Sequence, residues 1–553
     1  MVNVEEPADL LLRGGVVYTA TAIDSRPQAV AVRAGRIVAV GTDAQLGALV
    51  GARTEVVDLR GRLLLPGFQD AHVHPVEGGM TRKQCDLHEL DTGTEYLDAI
   101  GNYARLRPAG QWVLGGGWSM DAFPGGIPDK GPLDRVVGKR PVYLPNRDGH
   151  SAWVSSHALE LAGITAQTLD PADGRIERDN DGVPTGVLHE GAQRLITRLL
   201  PKTTSQDMLD GLIEGQRYLH SLGVTAWQDA IVGGDTAEHH SLAAYQDLAS
   251  RGQLTARVVG ALWWDRQRGN EQIPELLDAR NASHIGRFKA TSVKVMLDGV
   301  CETRTAAMLT PYLDDHGQET ADFGMSFVDA NELRRHVTAL DAAGFQVHFH
   351  AIGDRAVRDA LDAIEAARVA NGYTDTRPHI AHIQVVHPED RARFAQLGAV
   401  ANAQPLWACS EPQMTELTIP LLGPERAAWQ YPFASLIHSG ARLAGGSDWP
   451  VSTPDPIQEI HVAVNRSLPG SEDLDAFLPN QALTLPEAIQ AFTTGSAYVN
   501  HLDNETGTIQ VGKKADLVLL DRNLLEEPTE EIALARVVLT LVDGQPVFTG
   551  DDT

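Results

Sequence analysis

The chain has 553 residues, and 46 Lys and Arg against 73 Asp and Glu give it a formal net charge of −27. This charge argues against nucleic acid or an anionic membrane surface as a partner, and no apolar run is long enough to span a bilayer. Three scattered cysteines indicate no disulfide framework, and the acidic start of the chain does not resemble a signal peptide, so we expect a cytoplasmic protein.

Short β segments with glycine-containing turns occupy both ends of the chain. Near the amino terminus they read DLLLRGGVVYTA and QAVAVRAGRIVAVG, and near the carboxyl terminus GTIQVGKKADLVLLDRN and ARVVLTLVDGQPVFTG. Because the two ends share this pattern, we predict one small β-sandwich domain composed of residues 1–66 and 500–553. Two unrelated β caps would give the same pattern.

The segment after the first β region is irregular and rich in Gly, Pro and Trp, with one helical stretch after His150. So long a segment without a regular pattern is unusual inside a compact domain. We therefore predict an inserted subdomain at about residues 75–210 that shapes or covers a functional site.

From about residue 211 the chain alternates between helical and strand-like segments. The strand-like segments are VTAWQDA, ARVVGALWW, SVKVMLDG, FQVHFHAIGD, HIAHIQVV, AVANAQP and RLAGGSDWP. Near-continuous apolar strands between helices are typical of a parallel sheet covered by helices. We predict an α/β fold in which residues 67–499 form a (β/α)8 TIM-like barrel, with 63–74 as its first strand and the insertion after it. In this fold, functional residues lie at the carboxyl ends of the strands.

The first predicted strand, LLLPGFQDAHVH at 63–74, ends in His72 and His74. Side chains two residues apart on a strand lie on the same face, so these imidazoles can bind one metal ion together. A bare pair of this kind is as often two unrelated surface histidines. The apolar approach and the neighbouring Asp70 favour a metal site.

Later strands end in further residues of this kind. Lys294 lies in the apolar run SVKVMLDG, where an ammonium group is costly to bury. A salt bridge between Lys294 and Asp298 is the alternative explanation. His348 and His350 share a face of the next strand, and His350 is the better ligand candidate because it lies nearer the carboxyl end.

In HIAHIQVV, His382 is preferred on the same ground to His379, which we predict to point to the opposite face. Asp448 closes the last strand, after two glycines that let the backbone approach closely. Each of these residues alone is a weak signal. Their position at successive strand ends of one predicted barrel is difficult to explain by packing alone.

Six segments of the chain carry a resemblance to a known family. They are PGFQDAHVH at 66–74, NRDGHSAWVSSHAL at 146–159, VKVMLDG at 293–299, HFHAIGDRAV at 348–357, HIQVV at 382–386 and GGSDWPV at 445–451. They resemble the metal-dependent amidohydrolase superfamily, and within it the YtcJ-type amidohydrolases and N-substituted formamide deformylases. The resemblance covers nearly the whole chain. One departure is Ser155, where such proteins more often carry Asn.

The resemblance implies hydrolysis of a C–N amide bond by metal-activated water. The residues that would hold the metal are His72, His74, Lys294, His350, His382 and Asp448. Lys294 would carry a carbamate that bridges two ions, and Asp448 would move the proton from the water to the leaving amine. Imidazole and carboxylate ligands suit Zn²⁺, although one ion or two, and other divalent metals, stay open. The resemblance also suggests a homodimer.

Four further residues are weaker candidates for substrate contacts. His150 could orient a substrate carbonyl, although a loop histidine is more often structural. Trp118 and Trp407 could form an apolar wall, although core packing explains either of them at least as well. Arg304 could face an acidic group of the substrate or form a salt bridge within the protein. Glu190 in VLHEGA receives no role.

We therefore expect a hydrolase that acts on a small-molecule amide, most simply an N-substituted formamide that yields formate and an amine. The alternatives are another amide, a cyclic amide, an N-acyl amino acid or a carbamate. A non-catalytic scaffold on the same fold should have lost ligands, whereas all six positions are filled here. An aminohydrolase that deaminates a heterocycle would release ammonia and no amine product.

Overall fold

The computed structural model describes residues 6–21, 27–88, 90–108, 110–233, 241–471 and 475–550. The strands are β1 Leu10–Arg13, β2 Val16–Val17, β3 Ala29–Arg33, β4 Arg36–Gly41, β5 Glu55–Asp58, β6 Leu63–Pro66, β7 Phe68–Val73, β8 Cys85–Asp86, β9 Val113–Gly116, β10 Val142–Pro145, β11 Ser151–Val154, β12 Gly174–Arg178, β13 Pro184–Glu190, β14 Val224–Val232, β15 Arg257–Trp263, β16 Phe288–Met296, β17 Gln346–Ala351, β18 His379–His382, β19 Val400–Ala403, β20 Arg442–Gly445, β21 Leu517–Leu520, β22 Val537–Val542 and β23 Gln545–Thr549.

The α-helices are α1 Asp43–Leu46, α2 Pro75–Thr81, α3 Gly93–Arg105, α4 Lys130–Val137, α5 Ser156–Ala162, α6 Arg194–Thr197, α7 Ser205–Ser221, α8 Ser241–Ser250, α9 Ile273–Ala282, α10 Ala330–Ala342, α11 Asp354–Asn371, α12 Arg391–Leu397, α13 Ile419–Ala427, α14 Phe433–His438, α15 Pro456–Asn465, α16 Leu485–Gln490 and α17 Ser496–Val499. None of the helices in the described part of the chain is long and apolar enough to cross a membrane.

Eight parallel strands form the central sheet, in the order β7, β14, β15, β16, β17, β18, β19 and β20. The two outer strands approach each other at their carboxyl ends, where the Asp448 amide donates to the His72 carbonyl at 2.7 Å and the His74 amide to the Trp449 carbonyl at 2.8 Å. The helices cover the outside with apolar stripes, such as the buried residues of α11. The predicted (β/α)8 TIM-like barrel is confirmed.

The predicted first strand at 63–74 is in fact two strands that belong to different sheets. β6 pairs with β21, with Leu65 opposite Val518, whereas β7 pairs with β14. The chain changes sheets at Gly67, where a Cβ atom would lie only 2.4 Å from the Thr225 side chain. Glycine is required there because no larger residue fits so close an approach.

Both ends of the chain contribute to a pair of small sheets beside the barrel. One sheet has the order β4, β3, β1, β5, and the other has the order β2, β6, β21, β22, β23. Their shared core includes Leu12, Val30, Leu64, Leu517 and Leu541. Residues 1–5, 22–26 and 551–553 of the predicted sandwich lie outside the described residues.

The insertion between β7 and β14 contains a six-stranded sheet with the order β12, β13, β11, β10, β9, β8. Its core is aromatic and apolar and includes Tyr96, Trp118, Leu144 and Trp153. The first helix of the predicted insertion, α2, instead packs against the barrel helix α7, where Gly79 faces Gly211. The additional sheet therefore begins after α2 and ends before α7.

Candidate metal centre

The carboxyl ends of the first and last barrel strands bring three ligand-type side chains together. Nε2 of His72 and Nε2 of His74 each lie 3.0 Å from Oδ1 of Asp448. His72 lies in β7, and His74 follows that strand at the start of α2. The two histidines of the first strand therefore share one face, as their spacing predicts, and a carboxylate from the last strand faces both.

The local backbone explains why Asp448 reaches the first strand. Gly446 lies so close to His72 that a Cβ atom there would be 2.8 Å from the His72 backbone nitrogen. The Asp70 carboxylate accepts hydrogen bonds from the Ser447 hydroxyl at 2.6 Å and from the His72 amide at 2.9 Å. Asp70 thus ties the segment before Asp448 to the strand that carries His72.

His382 completes a compact group with His72 and Asp448, because ligand atoms of the three residues all lie within 4.8 Å of one another. Its Nδ1 lies 3.9 Å from Oδ2 of Asp448. This nitrogen is buried and has no hydrogen-bond partner within the part of the chain that the structure describes. On the other side, the Trp407 ring stacks on His382 with centroids 5.3 Å apart. A buried nitrogen without a partner is costly unless an ion binds it.

His350 lies beside this group, with its ring centroid 4.4 Å from that of His382. Its Nδ1 lies 3.2 Å from Oδ1 of Asp298. The Asp298 carboxylate also accepts hydrogen bonds from three backbone N–H groups, those of Ala307, Ile352 and Gly353. Asp298 is therefore occupied as the partner of His350. The alternative in which Asp298 pairs with Lys294 is wrong.

Lys294 is only 1% exposed, and its Nζ lies 3.5 Å from Nε2 of His72. Burial lowers the pKa of this amine to about 7, although the charges of Asp448 and Asp229 act in the opposite direction. Its side chain forms no ion pair with any residue that the structure describes. A lysine in this environment is partly neutral near pH 7, and the neutral amine is the nucleophilic form.

The electrostatics of the group favour neutral imidazoles at His72, His350 and His382 around an ionised carboxylate. Burial lowers the pKa of His72 to about 3, and the charge of Lys294 acts in the same direction. Burial also holds the pKa values of His350 and His382 well below the usual value. Burial alone would raise the pKa of Asp448, but the facing histidines outweigh it and lower that pKa. These are the protonation states that bind metal ions. At His74, burial would lower the pKa, but the hydrogen bond and the charge of Asp448 outweigh it and raise that pKa.

Asp229 is a residue of this region that the sequence analysis did not single out. It lies in β14, is 2% exposed and accepts a hydrogen bond from the Tyr245 hydroxyl at 2.7 Å. Burial raises its pKa to about 6, and the charge of His74 acts in the opposite direction. The signal was present, because Asp229 stands near the carboxyl end of the predicted strand VTAWQDA.

Hydrogen-bonded polar side chains fill the barrel interior beside this group. Nε2 of His348 lies 2.8 Å from Nδ1 of His72, and Nδ1 of His348 lies 2.8 Å from Oε1 of Gln228. His379 also faces inward, with its ring centroid 4.0 Å from that of His348. The prediction that His379 points away from the His382 side is therefore wrong. His382 has a φ of +77°, which interrupts the regular strand alternation.

The insertion contributes His150, whose ring centroid lies 5.5 Å from that of His350. Nδ1 of His150 lies 2.9 Å from Oε1 of Glu190, which also accepts a hydrogen bond from the Thr305 hydroxyl at 2.8 Å. Burial would lower the pKa of His150, but the charge and the hydrogen bond of Glu190 raise it to about 9. Glu190, which the sequence left without a role, therefore favours the protonated form of His150.

Trp118 and Trp407 have different positions. Trp118 is fully buried, its Nε1 donates to the Leu144 carbonyl at 2.7 Å, and its ring packs against Phe123 and Trp153. It belongs to the core of the insertion, so the predicted contact between Trp118 and substrate is wrong. Trp407 is half-buried and lies at the candidate site, stacked on His382.

Arg304 is half-buried in the turn after β16, where it has a φ of +57°. Its guanidinium forms no ion pair with any described residue, so the predicted internal salt bridge is not observed, and a contact with substrate stays a prediction. Ser155 is the N-cap of α5, and its Oγ accepts from the Ala158 amide at 3.3 Å. Asn caps helices equally well, which explains the departure from the family pattern in structural terms.

These donors fit a divalent metal ion. Ligands at about 2.0–2.1 Å from a tetrahedral zinc ion lie about 3.4 Å from one another. The nitrogens of His72 and His74 lie 3.0 Å from the Asp448 oxygen, close to that separation. The partnerless Nδ1 of His382 offers a further ligand atom. The group is therefore a candidate site for a divalent metal, with donor types that suit zinc.

Residues 55–548 match the family model described as the amidohydrolase family, Amidohydro_3. The chain belongs to this family. The match extends over the barrel, the insertion and the carboxyl-terminal strands β21 and β22. Membership explains why ligand-type residues recur at the strand ends of this amidohydrolase, and it confirms the superfamily that the sequence motifs predicted.

Two curated relatives cover nearly the whole amidohydrolase chain. The YtcJ protein of Bacillus subtilis (strain 168) is 30% identical over 541 residues, which are 97% of this chain and 98% of that protein. The N-substituted formamide deformylase of Arthrobacter pascens is 28% identical over 559 residues, which are 97% of this chain and 97% of that protein. These two relatives confirm the predicted branch of the superfamily.

Among solved structures, an uncharacterised metal-dependent hydrolase from Pyrococcus furiosus matches with a TM-score of 0.71 and 26% sequence identity. The match covers 94% of this chain and 100% of that chain. Together with family membership, it identifies the protein as a metal-dependent hydrolase that acts on C–N bonds.

Proposed function

We propose that this amidohydrolase hydrolyses a small N-substituted formamide to formate and an amine. The observation that carries the proposal is the convergence of His72 and His74 on Asp448, with two nitrogens each 3.0 Å from one carboxylate oxygen. Imidazole and carboxylate donors at the carboxyl ends of barrel strands suit a catalytic metal, and the same face of the barrel is where substrates bind in this fold.

The residues that would hold the metal are His72, His74 and Asp448 for one ion and His350, His382 and Lys294 for a second. A divalent ion bound there, most simply Zn²⁺, supplies hydroxide at neutral pH and polarises the scissile carbonyl. The unpartnered Nδ1 of His382 supports its role as a ligand. Two ions require a negative bridging group between them, because divalent cations at close range repel each other.

Lys294 would supply that bridge as a carbamate. Its neutral amine attacks the carbon of CO₂, an N–C bond forms, and one proton leaves the nitrogen for solvent. Lys294 fits this reaction because its amine is buried, has no carboxylate partner among the described residues and lies 3.5 Å from Nε2 of His72. An ammonium group in the same place would repel a divalent ion and would also be costly to bury.

The protein's own groups would then move the proton and hold the substrate. Asp448 stays ionised, so it can take a proton from the attacking water and return it to the leaving nitrogen. His150 is protonated and shares one N–H with Glu190 at 2.9 Å, which leaves its second N–H for the substrate carbonyl oxygen. Trp407 lies beside His382, where it can contact an apolar N-substituent.

The formamide substrate is supported by the similarity to a protein named N-substituted formamide deformylase, at 28% identity over nearly the full length. The same machinery would also cleave a cyclic amide, an N-acyl amino acid or a carbamate if the pocket admitted it. A formyl group is the smallest acyl group, so a tight acyl pocket would select it by size.

The test is a panel of N-benzyl and N-alkyl formamides with the matching acetamides, assayed with zinc-loaded protein for formate or acetate and for primary amine. We expect formate and amine in equal amounts from the formamides, and slower cleavage of the acetamides. Ammonia as the nitrogen product would indicate deamination instead. If no formamide yields formate while an N-acyl amino acid or a cyclic amide is cleaved, the substrate proposal is wrong.

A further inference from the structure

A chain of polar side chains crosses the barrel interior and ends at His72. Its members are Gln346, Gln228 and His348, with a side branch through His379 and Asn402, and all five are at most 2% exposed. None of these five belongs to the proposed metal ligands. Buried polar groups are retained where each donor meets an acceptor, so the direction of every hydrogen bond in this chain can be worked out.

The direction is set at the far end by two backbone carbonyl groups. Nε2 of Gln346 lies 2.8 Å from the carbonyl oxygen of Arg377 and 2.8 Å from that of Val499. A carbonyl oxygen can only accept, so the amide nitrogen of Gln346 donates to both. Its Oε1 is therefore the acceptor that faces Nε2 of Gln228 at 3.0 Å. Gln228 must donate through its nitrogen and accept through its oxygen.

The oxygen of Gln228 then fixes the tautomer of His348, whose Nδ1 lies 2.8 Å away and must carry the proton. The other nitrogen of a neutral imidazole is an acceptor. Nε2 of His348 lies 2.8 Å from Nδ1 of His72, so His72 donates from Nδ1. The remaining nitrogen of His72, Nε2, is left with a lone pair. It lies 3.0 Å from Oδ1 of Asp448 and 3.5 Å from Nζ of Lys294.

We propose that Gln228 and His348 are positioning residues that hold His72 in the Nδ1–H tautomer and so present Nε2 to a divalent cation. This inference rests on the proposed metal site. Two acceptor atoms at 3.0 Å are unfavourable as a pair, and a cation between them removes the conflict. The chain of hydrogen bonds thus fixes the metal-binding tautomer of His72 already in the metal-free protein. His348 acts through His72 and does not contact the metal.

The side branch provides a matched control. Nε2 of His379 lies 3.0 Å from the same Gln228 oxygen, and its Nδ1 lies 3.0 Å from Nδ2 of Asn402. Asn402 in turn donates to the Ala71 carbonyl at 3.0 Å. His379 is as deeply buried as His348 and shares its partner, but it forms no hydrogen bond with a ligand. A general loss of packing would lower zinc affinity in variants of both residues. Loss of the Nδ1–H tautomer of His72 would lower it only in variants of His348.

The test compares the zinc affinity of His348→Met, His348→Gln and His379→Met with wild type, by competition with a chromogenic chelator on protein whose folding is checked by thermal melting. Loss of such a supporting hydrogen bond typically weakens metal binding about 10- to 100-fold, and we expect this for His348→Met. His348→Gln keeps a donor for Gln228 and an acceptor for His72, so it should lose less than about tenfold. His379→Met should bind zinc like wild type.

Equal zinc affinity in His348→Met and wild type would overturn the inference, as would an equal loss in His379→Met. A second measurement does not depend on the folding of these variants. In metal-free wild type labelled with ¹⁵N-histidine, the His72 resonances, identified by their loss in His72→Gln, should show a pyrrole-type Nδ1 and a pyridine-type Nε2. The reverse assignment would contradict the proposal. A wild type that binds no divalent metal would overturn the proposed function itself.

Discussion

The barrel rim, which is the carboxyl ends of the strands where His72, His74 and Asp448 lie, places a histidine against a carboxylate, and so does the inserted sheet. The pKa of the histidine is lowered at the rim and raised in the insertion. At the rim, His72 lies 3.0 Å from Asp448, yet burial and the charge of Lys294 lower the pKa of His72 to about 3. In the insertion, His150 lies 2.9 Å from Glu190, which outweighs burial and raises the pKa of His150 to about 9. His72 is therefore neutral and can bind a metal cation together with Asp448 (the rim pair), whereas His150 is protonated beside Glu190 (the insertion pair).

This difference assigns the two regions different tasks. The rim offers lone pairs and a carboxylate, which in the proposed function would hold a metal ion and move a proton. The insertion offers a protonated imidazole, which can donate a hydrogen bond to a substrate oxygen next to His350. Each of the following substitutions changes a residue of one of these two regions. The expected loss of activity is larger at the rim than in the insertion.

Replacement of the rim carboxylate should have the largest effect. Asp448→Asn removes the negative charge that faces both His72 and His74, and with it the proposed proton acceptor. General acid–base catalysis contributes typically about 10²- to 10⁴-fold, so turnover should fall at least about a hundredfold. Turnover and bound metal are measured on the same preparation. A variant with full metal content and near-normal turnover would contradict the role of Asp448.

Removal of Lys294 should come next. Lys294→Ala deletes the proposed carbamate bridge, and loss of metal support should lower metal content and activity by about 10- to 100-fold. Added acetate or propionate should restore part of both, because a short carboxylate can fill the gap between the two ions. Lys289→Ala, at the other end of the same strand, is the matched control.

No response of Lys294→Ala to carboxylates, or an equal loss in Lys289→Ala, would show that Lys294 does not act as a bridge. Electron density that ends at Nζ of Lys294 in an active, fully metallated crystal would show the same. In either case the rim could still hold one ion through His72, His74 and Asp448.

The rim was predictable from the sequence because buried barrel strands leave few polar residues, and those near the carboxyl ends face one mouth. His72, His74, Lys294, His350, His382 and Asp448 were selected in this way. The same rule would have found Asp229. The rule failed for His379 because it assumes regular alternation, and the positive φ of His382 cannot be read from residue types.

The insertion was far less predictable. Its sheet mixes parallel and antiparallel neighbours, so the sequence does not show that Glu190 lies against His150, 40 residues earlier. The position of Trp118 stayed open between a pocket wall and the core for a related reason. Residue type alone does not separate a pocket wall from a core position, and here the ring enters a core that combines earlier residues such as Tyr96 with later ones such as Trp153.

The insertion pair can be tested through its pH dependence. With a pKa near 9, His150 is protonated below that pH, and activity that needs its proton should fall as the pH rises through 9. In Glu190→Gln the stabilising charge is gone, burial again lowers the pKa of His150, and this loss should begin at lower pH. Because the substrate then loses the charged hydrogen-bond donor of His150, we expect kcat/KM of Glu190→Gln to fall about tenfold at pH 8.

The matched control is Glu177→Gln. Glu177 also pairs with a histidine of the inserted sheet, His189, at 3.2 Å, but that pair does not contact His350. The pH profile of kcat/KM of Glu177→Gln should match that of the wild type. If both variants shift the alkaline limb of the kcat/KM profile equally, or if neither does, then His150 does not donate a hydrogen bond to the substrate.

The smallest effect on activity is expected in the core of the insertion. Trp118→Phe deletes the indole N–H that donates to the Leu144 carbonyl at 2.7 Å, and the loss of a buried hydrogen bond costs about 1 kcal/mol of unfolding free energy. Because Trp118 is fully buried, kcat/KM of the folded variant should be unchanged. Denaturant unfolding and steady-state kinetics on the same samples measure both quantities.

Trp407→Leu is the counterpart at the rim. It removes the ring that stacks on His382 with planes 8° apart, so metal affinity and kcat/KM should fall, while stability changes less because Trp407 is only half-buried. The two tryptophan variants should therefore show opposite patterns, stability loss in one and loss of metal and activity in the other. A Trp118→Phe variant of normal stability with impaired kcat/KM would return Trp118 to the substrate pocket, and the division of tasks between rim and insertion would then be wrong.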